Sequence, residues 1–166
     1  AYYQGNGIYK SIDGGSSWDS LSVTATNTPQ SFDSDFDCIW NLETDQSNDS
    51  LDVVYAATFG SIFRSEDGGN SWTRQLGQAF SAYYTNIEIT TNGVVYAILS
   101  SDGTDRGIWR SVDGQNWSNI TDSLFPPVYG RIAIGVNPSN EDEVYFLAAE
   151  TDNYGQHTNV FFGGEA

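Results

Sequence analysis

The chain has little positive charge: its 6 Lys and Arg residues face 22 Asp and Glu residues, for a formal net charge of −16 over 166 residues. This balance argues against binding to nucleic acid or to an anionic membrane surface, because both need Lys and Arg. No apolar run approaches the roughly 20 residues that span a bilayer. One Cys allows no intrachain disulfide, and one Cys with one His gives no support to a zinc site. The absence of Met predicts that this is a processed or excised piece of a longer protein.

Three segments of the chain repeat one pattern. GIYKSIDGGSSW (7–18) returns as SIFRSEDGGNSW (61–72) and as GIWRSVDGQNW (107–117), the last copy being one residue shorter in its turn. Each copy predicts a β-hairpin, because Ile and aromatic residues alternate with small or polar ones before an Asp-Gly turn. We expect the Ser and Asp side chains to bind turn amides and the Trp to fold over the turn. These structural positions are Ser11, Asp13, Gly15 and Trp18; Ser65, Asp67, Gly69 and Trp72; and Ser111, Asp113 and Trp117.

Further strand-like runs lie between the hairpins, at 37–42, 52–57, 85–90 and 94–99, and a fourth pair follows the last hairpin, at 130–136 and 143–148. Four strands in each period of about 45 residues predict an all-β fold, a β-propeller of four-stranded antiparallel blades without helices. About three and a half blades are expected: 1–23 ends one blade, 36–76 and 83–120 are complete, and 130–162 starts another. Residues 1–166 would then form an arc of a larger propeller, whose open sheet edges bind its remaining blades or another protein chain.

The pattern Ser-x-Asp-x-Gly-x-x-Trp resembles the Asp-box, also called the bacterial neuraminidase repeat. With the phrases GRIA (130–133) and NPSN (137–140), the chain is similar to blades of sortilin-type propellers and of xyloglucan-degrading glycoside hydrolases. It also resembles secreted surface propellers of Bacteroidota. The resemblance implies a secreted or cell-surface protein, export by a type IX system, Asp-boxes at the blade periphery and ligands near the central tunnel. It implies no activity, since families of different function share the repeat.

Aromatic residues occupy the loops that we expect to surround the propeller axis. The candidates are Tyr83, Tyr84, Tyr129 and Tyr154. Such rings stack on sugars or anchor a protein partner, although loop aromatics also commonly cover the ends of a core. The hypothesis is therefore a non-enzymatic module for protein or glycan binding or for display, with a polysaccharide or the export machinery as possible further partners.

Carboxylates in the same loops leave a second hypothesis open. A glycoside hydrolase needs two carboxyl groups across a cleft, and the candidates are Asp102, Asp105 and Asp152, although no spacing pairs them. Asp33, Asp35 and Asp37 alternate in a pattern of oxygen ligands that Ca²⁺ could bind. A strand end with solvent-facing Asp side chains explains that pattern equally well, and the sequence predicts no other cofactor.

Overall fold

The computed structural model describes residues 5–28, 30–151 and 157–162, with side chains described up to residue 149. In these ranges the chain forms strands that are joined in chain order into four antiparallel sheets. None of its helical structure there is long and apolar enough to cross a membrane. The strands are β1 (Tyr9–Lys10), β2 (Asp19–Ser20), β3 (Ile39–Thr44), β4 (Val54–Thr58), β5 (Ser61–Ser65), β6 (Thr73–Gly77), β7 (Thr85–Ile89), β8 (Val95–Leu99), β9 (Gly107–Ser111), β10 (Trp117–Asn119), β11 (Tyr129–Val136), β12 (Val144–Thr151) and β13 (His157–Phe162).

The sheets are the blades that the sequence predicts. Strands β3–β6 make the second blade and β7–β10 the third, each a four-stranded antiparallel sheet. The first blade contains β1 and β2, and the last blade contains β11, β12 and β13. In the second and third blades the repeated hairpin forms the third and fourth strands, because each strand pairs with its neighbour in the sequence. The prediction of an all-β fold with four-stranded antiparallel blades is confirmed.

Hydrophobic side chains on both faces of each blade build the core. Successive residues of a strand point to opposite faces, so each complete blade packs against the blade before it and the blade after it. Strand β7 lies alongside both β3 and β11, which places the first strands of successive blades side by side. Three buried clusters fill the three interfaces, centred on Ile8 and Phe63, on Tyr55 and Ile87, and on Ile98 and Phe146.

The three repeated turns share one hydrogen-bond arrangement. In the second blade, Asp67 Oδ1 accepts hydrogen bonds from Ser65 Oγ and from the Ser71 amide, both at 2.8 Å. The Gly69 amide donates to Ser65 Oγ at 2.8 Å, and the first turn repeats this pattern around Asp13. Hydrogen bonds from the side chain and amide of Ser71 lower the pKa of Asp67 to about 2.

The third turn keeps the same role for its Asp although it is one residue shorter. Asp113 Oδ1 accepts hydrogen bonds from the amides of Gln115 at 2.9 Å and Asn116 at 2.7 Å. These bonds, those of Asn116 first, hold the pKa of Asp113 well below its usual value. Trp72 closes its turn by donating from Nε1 to the Gly69 carbonyl at 3.0 Å. Trp18 also lies over its own turn, since a Cβ on Gly15 would be 3.7 Å from its ring, although it is 62% exposed.

The second and third turns also contact the preceding blade. Lys10 Nζ donates to the carbonyl of Gly68 at 3.1 Å, which joins the first blade to the second turn. Gly114 of the third turn lies against the hydroxyl of Tyr55 and the guanidinium of Arg64 in the second blade. Glycine is required there because φ is +70° and a Cβ would overlap the Tyr55 hydroxyl. The basic position of the repeat therefore faces the next blade's turn.

The segment 33–37 corrects one expectation. It is a turn of 3-10 helix at Asp35–Asp37 rather than a strand end with solvent-facing Asp side chains, because Ser34 and Asp37 form a capping box. Asp37 Oδ2 accepts from the amides of Asp33 and Ser34, at 2.9 and 2.8 Å, while Asp35 accepts from Arg74 at 2.6 Å. The carboxylates serve separate partners, and no group of three possible metal-binding side chains occurs in the described ranges.

Candidate binding site at the central face

Six aromatic rings meet where three loops converge, and we call them the aromatic cluster. They come from the loop before β3, from β3 itself, from the β4–β5 turn and from the loop between β6 and β7. Neighbouring ring centroids are separated by 4.8–6.4 Å. The members are Phe32, Trp40, Phe59, Phe80, Tyr83 and Tyr84. The structure thus brings two candidates, Tyr83 and Tyr84, into one half-exposed apolar surface.

Close backbone contacts hold the two loops of the cluster together. Gly60 has φ +94°, and its carbonyl accepts a hydrogen bond from the Gln78 amide at 3.0 Å. A Cβ on Gly60 would lie 2.9 Å from the Phe80 nitrogen, so no larger residue fits without moving the loop. Phe80 itself has φ +57° and is 47% exposed. A left-handed backbone costs an L-residue about 1–2 kcal/mol, and here it presents a phenyl ring to solvent.

Trp40 is the centre of the cluster. It lies at an irregularity of register between Ile39 and Asn41 in the β3–β4 pair. Its Nε1 donates to the Tyr83 carbonyl at 3.0 Å, and its ring centroid is 5.0 Å from that of Tyr84. The exposed guanidinium of Arg131, from β11, lies 5.9 Å from the Trp40 centroid. The site therefore offers ring faces flanked by one cation from the last blade.

Asp102 and Asp105 bind the backbone of the aromatic loop. Asp102 Oδ2 accepts a hydrogen bond from the Tyr83 amide at 3.1 Å, and Asp105 Oδ2 accepts from the Gly77 amide at 3.0 Å. Ser100 Oγ donates to Asp102 and accepts from the Tyr84 amide at 2.9 Å. These two catalytic candidates are thus committed to positioning residues 77–84. The sequence could place them in a neighbouring loop but could not reveal their backbone partners.

Tyr129 is not available as a binding residue in the way that its loop position suggested. Its side chain is only 4% exposed, and its hydroxyl donates to the Leu99 carbonyl at 3.3 Å. Burial raises its pKa to about 12. The ring packs into the interface between the third and last blades, because burying its apolar surface there is favourable. It is therefore not exposed to a ligand. The remaining candidates, Asp152 and Tyr154, lie outside the described residues.

Several residues of this face escape sequence reasoning. Trp40 falls within a predicted strand, but the strand register is irregular at its position and its ring contacts Tyr83 and Tyr84. Phe59 sits in a minimal turn whose neighbours in space are distant in sequence. Gly60 and Gly77 are the sequence signal that could have indicated this contact, since loops that approach closely need positions without a side chain.

Two glutamates on the first strands of the complete blades form another missed pair. Glu43 and Glu88 occupy equivalent positions, opposite Tyr55 and Tyr96 in the strand register. Burial raises the pKa of Glu88, and the negative charge of Glu43 raises it further. A carboxyl group with a raised pKa is suited to donate a proton. Glu88 lies three residues along β7 from Thr85, roughly 10 Å from the strand end that carries the aromatic cluster.

Comparison with known proteins supports the fold directly. No protein-family profile matches the chain. A curated xyloglucanase from Paenibacillus sp is 27% identical over 138 residues, which cover 70% of this chain and 13% of that protein. The crystal structure of an ancestral GH74 enzyme superimposes with a TM-score of 0.58 at 22% identity. That match covers 97% of this chain and 23% of the solved one.

This chain is an arc of a β-propeller. The solved relative shares the architecture, and the described sheets have the strand number and direction of propeller blades. The chain spans 13% of the length of the xyloglucanase and 23% of the GH74 structure. The similarity therefore supports the propeller fold for the roughly three and a half blades of this chain.

Proposed function

We propose that this propeller segment binds a neutral polysaccharide at the aromatic cluster and has no catalytic activity of its own. The observation that carries the proposal is the cluster itself, six rings gathered from separate loops onto one face. Aromatic faces bind the apolar faces of sugar rings and leave the hydroxyl groups to polar neighbours. Within the cluster, Phe80 is 47% exposed and can meet a ligand without rearrangement.

The net charge narrows the class of glycan. A formal charge of −16 repels polyanionic ligands at a distance, so pectic or sulfated chains are disfavoured. A neutral β-glucan experiences no such repulsion. The relative named as a xyloglucanase supports xyloglucan as the first ligand to test. The setting that we propose is display on a secreted or cell-surface protein exported by a type IX system, in keeping with the Asp-box repeat and the low Lys content.

Binding to xyloglucan and to polygalacturonate, measured by isothermal titration calorimetry, tests this proposal. We expect binding of the neutral glycan alone, and Phe80→Ala should weaken it about tenfold, as removal of an aromatic anchor does. Trp18→Ala is the matched control, because Trp18 is another exposed aromatic residue, 62% exposed and on a repeated turn. Equal binding by the two variants would contradict the assignment of the site, and a preference for polygalacturonate would contradict the charge argument.

A hydrolase is the second candidate function, because both named relatives are enzymes. The carboxylates to test are Asp102, Asp105, Asp152 and Glu88. Asp102 positions the Tyr83 backbone, so Asp102→Asn should weaken binding together with any turnover. A true catalytic carboxylate would instead lower kcat and leave binding intact. Asp105 likewise binds the Gly77 amide, so Asp105→Asn should also weaken both binding and turnover. Release of reducing ends from xyloglucan, abolished by Asp152→Asn or Glu88→Gln with binding retained, would show that the binding-only proposal is wrong.

A further inference from the structure

We propose that a pocket between the third and last blades binds one carboxylate carried on a small ring, as in a sugar acid or an aromatic acid. The pocket has a volume of about 220 Å³ and lies between the start of β9, the end of β10 and the loop that leads to β11. Its polar and apolar walls are formed by Arg106, Asn119, Thr121, Phe125, Pro126 and Pro127. The pocket shares no residue with the aromatic cluster, so the proposal does not depend on glycan binding there.

The corresponding place in the second blade is closed. There Gly60 precedes β5 and Gly77 ends β6, and the loop after β6 packs onto the strand, because the Gln78 amide donates to the Gly60 carbonyl at 3.0 Å. A Cβ on Gly77 would overlap that carbonyl oxygen, so the two positions must lack side chains for the loop to close. Larger residues at both positions would hold the loop away from the strand.

The third blade has larger residues at these two positions. The repeat places Arg106 before β9 and Thr121 after β10. The Arg106 carbonyl accepts from Asn119 Nδ2 at 3.4 Å where its counterpart accepts a loop amide. Thr121 Oγ1 accepts from the Ile108 amide at 2.8 Å, and glycine is needed at Gly107 because a Cβ there would overlap that oxygen. The loop therefore stands away from the strand, and the pocket lies open between them.

Arg106 supplies the charge of the pocket. Its side chain is exposed, and within the part of the chain that the structure describes its guanidinium makes no ion pair or hydrogen bond. The two ion pairs found there belong to Arg64 and Arg74. Asp105, although adjacent, accepts from the Gly77 amide at 3.0 Å and so serves the preceding loop. A guanidinium without a partner suits a carboxylate, which it binds through two parallel charge-assisted hydrogen bonds. The net charge of −16 repels a polyanion, but one guanidinium can offset one carboxylate.

The opposite wall is apolar and held in place. Phe125 contacts Tyr129 edge to face, with ring centroids 5.1 Å apart, and the Tyr129 amide donates to Ser101 Oγ at 3.0 Å. Pro126 and Pro127 complete this wall, against which the face of a ring can pack. The volume of about 220 Å³ is below the roughly 300–1,000 Å³ of sites for drug-sized ligands, so the pocket suits a single ring.

Amide NMR spectra of the isotope-labelled chain, titrated with small ligands, test this pocket. The ligands are methyl glucuronide, benzoate and methyl glucoside, the last having the sugar ring without the carboxylate. We expect both acids to shift the signals of Gly107, Ile108 and Thr121 until saturation, with a Kd at least about tenfold below that of methyl glucoside, because a hydrogen bond to a charged group contributes that much. Tighter binding of methyl glucuronide than of benzoate would identify a sugar acid, and the reverse order an aromatic acid.

Two substitutions of Arg106 and one matched control separate a specific contact from general charge. Arg106→Gln should raise the Kd of the acids at least about tenfold, and Arg106→Lys should raise it less, since it keeps the charge and loses the planar fork. Arg110→Gln is the control: it removes the same charge from the same strand, where the guanidinium lies 6.0 Å from the Tyr96 ring centroid and outside the pocket. We expect it to leave the Kd of the acids unchanged.

Three results would overturn the proposal: no saturable shift at the pocket amides, equal Kd values for the acids and methyl glucoside, or equal effects of Arg106→Gln and Arg110→Gln. Binding of xyloglucan, measured on the same Arg106→Gln protein, should be unchanged, because Arg106 does not belong to the aromatic cluster. Failure of the pocket is thus distinguishable from failure of the glycan-binding site.

Discussion

Replacing Gly114 by Ala tests whether the repeated turns support the propeller through contact with the preceding blade. Gly114 and Gly14 occupy corresponding turns and share a φ of +70°. A Cβ on Gly14 would meet nothing within 4 Å, whereas one on Gly114 would overlap the Tyr55 hydroxyl and lie 2.9 Å from Arg64 Nε. The two substitutions therefore impose the same backbone strain and differ only in the contact between blades.

The expected costs follow from that difference. Ala at φ +70° strains the folded backbone by about 1–2 kcal/mol. Ala also makes the unfolded chain less flexible, which offsets roughly 0.4–1 kcal/mol of that strain. Gly14→Ala should therefore lower the free energy of unfolding by about 1 kcal/mol. Gly114→Ala adds overpacking of about 1–3 kcal/mol. Tyr55→Phe removes the hydroxyl that would be struck and by itself forfeits one hydrogen bond from Arg64 Nε, worth about 1 kcal/mol. Combined with Gly114→Ala, it should recover about 1–2 kcal/mol relative to the sum of the single changes.

Urea unfolding of the four variants, followed by tryptophan fluorescence, measures these free energies. Agreement requires Gly114→Ala to be clearly more destabilising than Gly14→Ala, and Tyr55→Phe to compensate it in part. If Gly114→Ala and Gly14→Ala lowered the free energy of unfolding equally, the turn would be a local structure only. The reasoning that connects the repeated glycine to the interface between blades would then be refuted.

Two further predictions concern acid sensitivity and the core. The pKa values of Asp13 and Asp67 lie near 2, below the usual 3.8, so the stability that these carboxylates contribute is complete above about pH 4. This stability is lost as the pH falls from about 4 through 2. The thermal midpoint of Asp67→Asn, measured from pH 5 to pH 2, should therefore drop less steeply below pH 4 than that of the unchanged protein. Ile87 is fully buried between the second and third blades, so Ile87→Ala should lower the free energy of unfolding in urea by about 2–5 kcal/mol. A loss within about 0.5 kcal/mol, typical of surface changes, would contradict that interface.

Much of the candidate site depends on contacts that a single sequence does not display. Tyr83 and Tyr84 were predictable as loop aromatics, because the repeat period places residues 77–84 between two blades. Asp102 was predictable as a loop carboxylate, yet its hydrogen bond to the Tyr83 amide gives it a positioning role. Tyr129 occupies a similar place in the sequence but is buried, since the third and last blades close over it.

The sequence by itself determined the repeated unit, its strands and the chemistry of its turns. Strand alternation and the Ser, Asp and Gly positions of each hairpin are local properties, so residues close in the chain suffice to specify them. The tertiary structure alone decided which side chains meet across blades: Trp40 with Tyr84, Gly114 with Tyr55, and Asp102 with the loop of the previous blade. These contacts join residues about 20 to 60 positions apart, and the stacking angle of one sheet on the next sets them rather than any pattern along the chain.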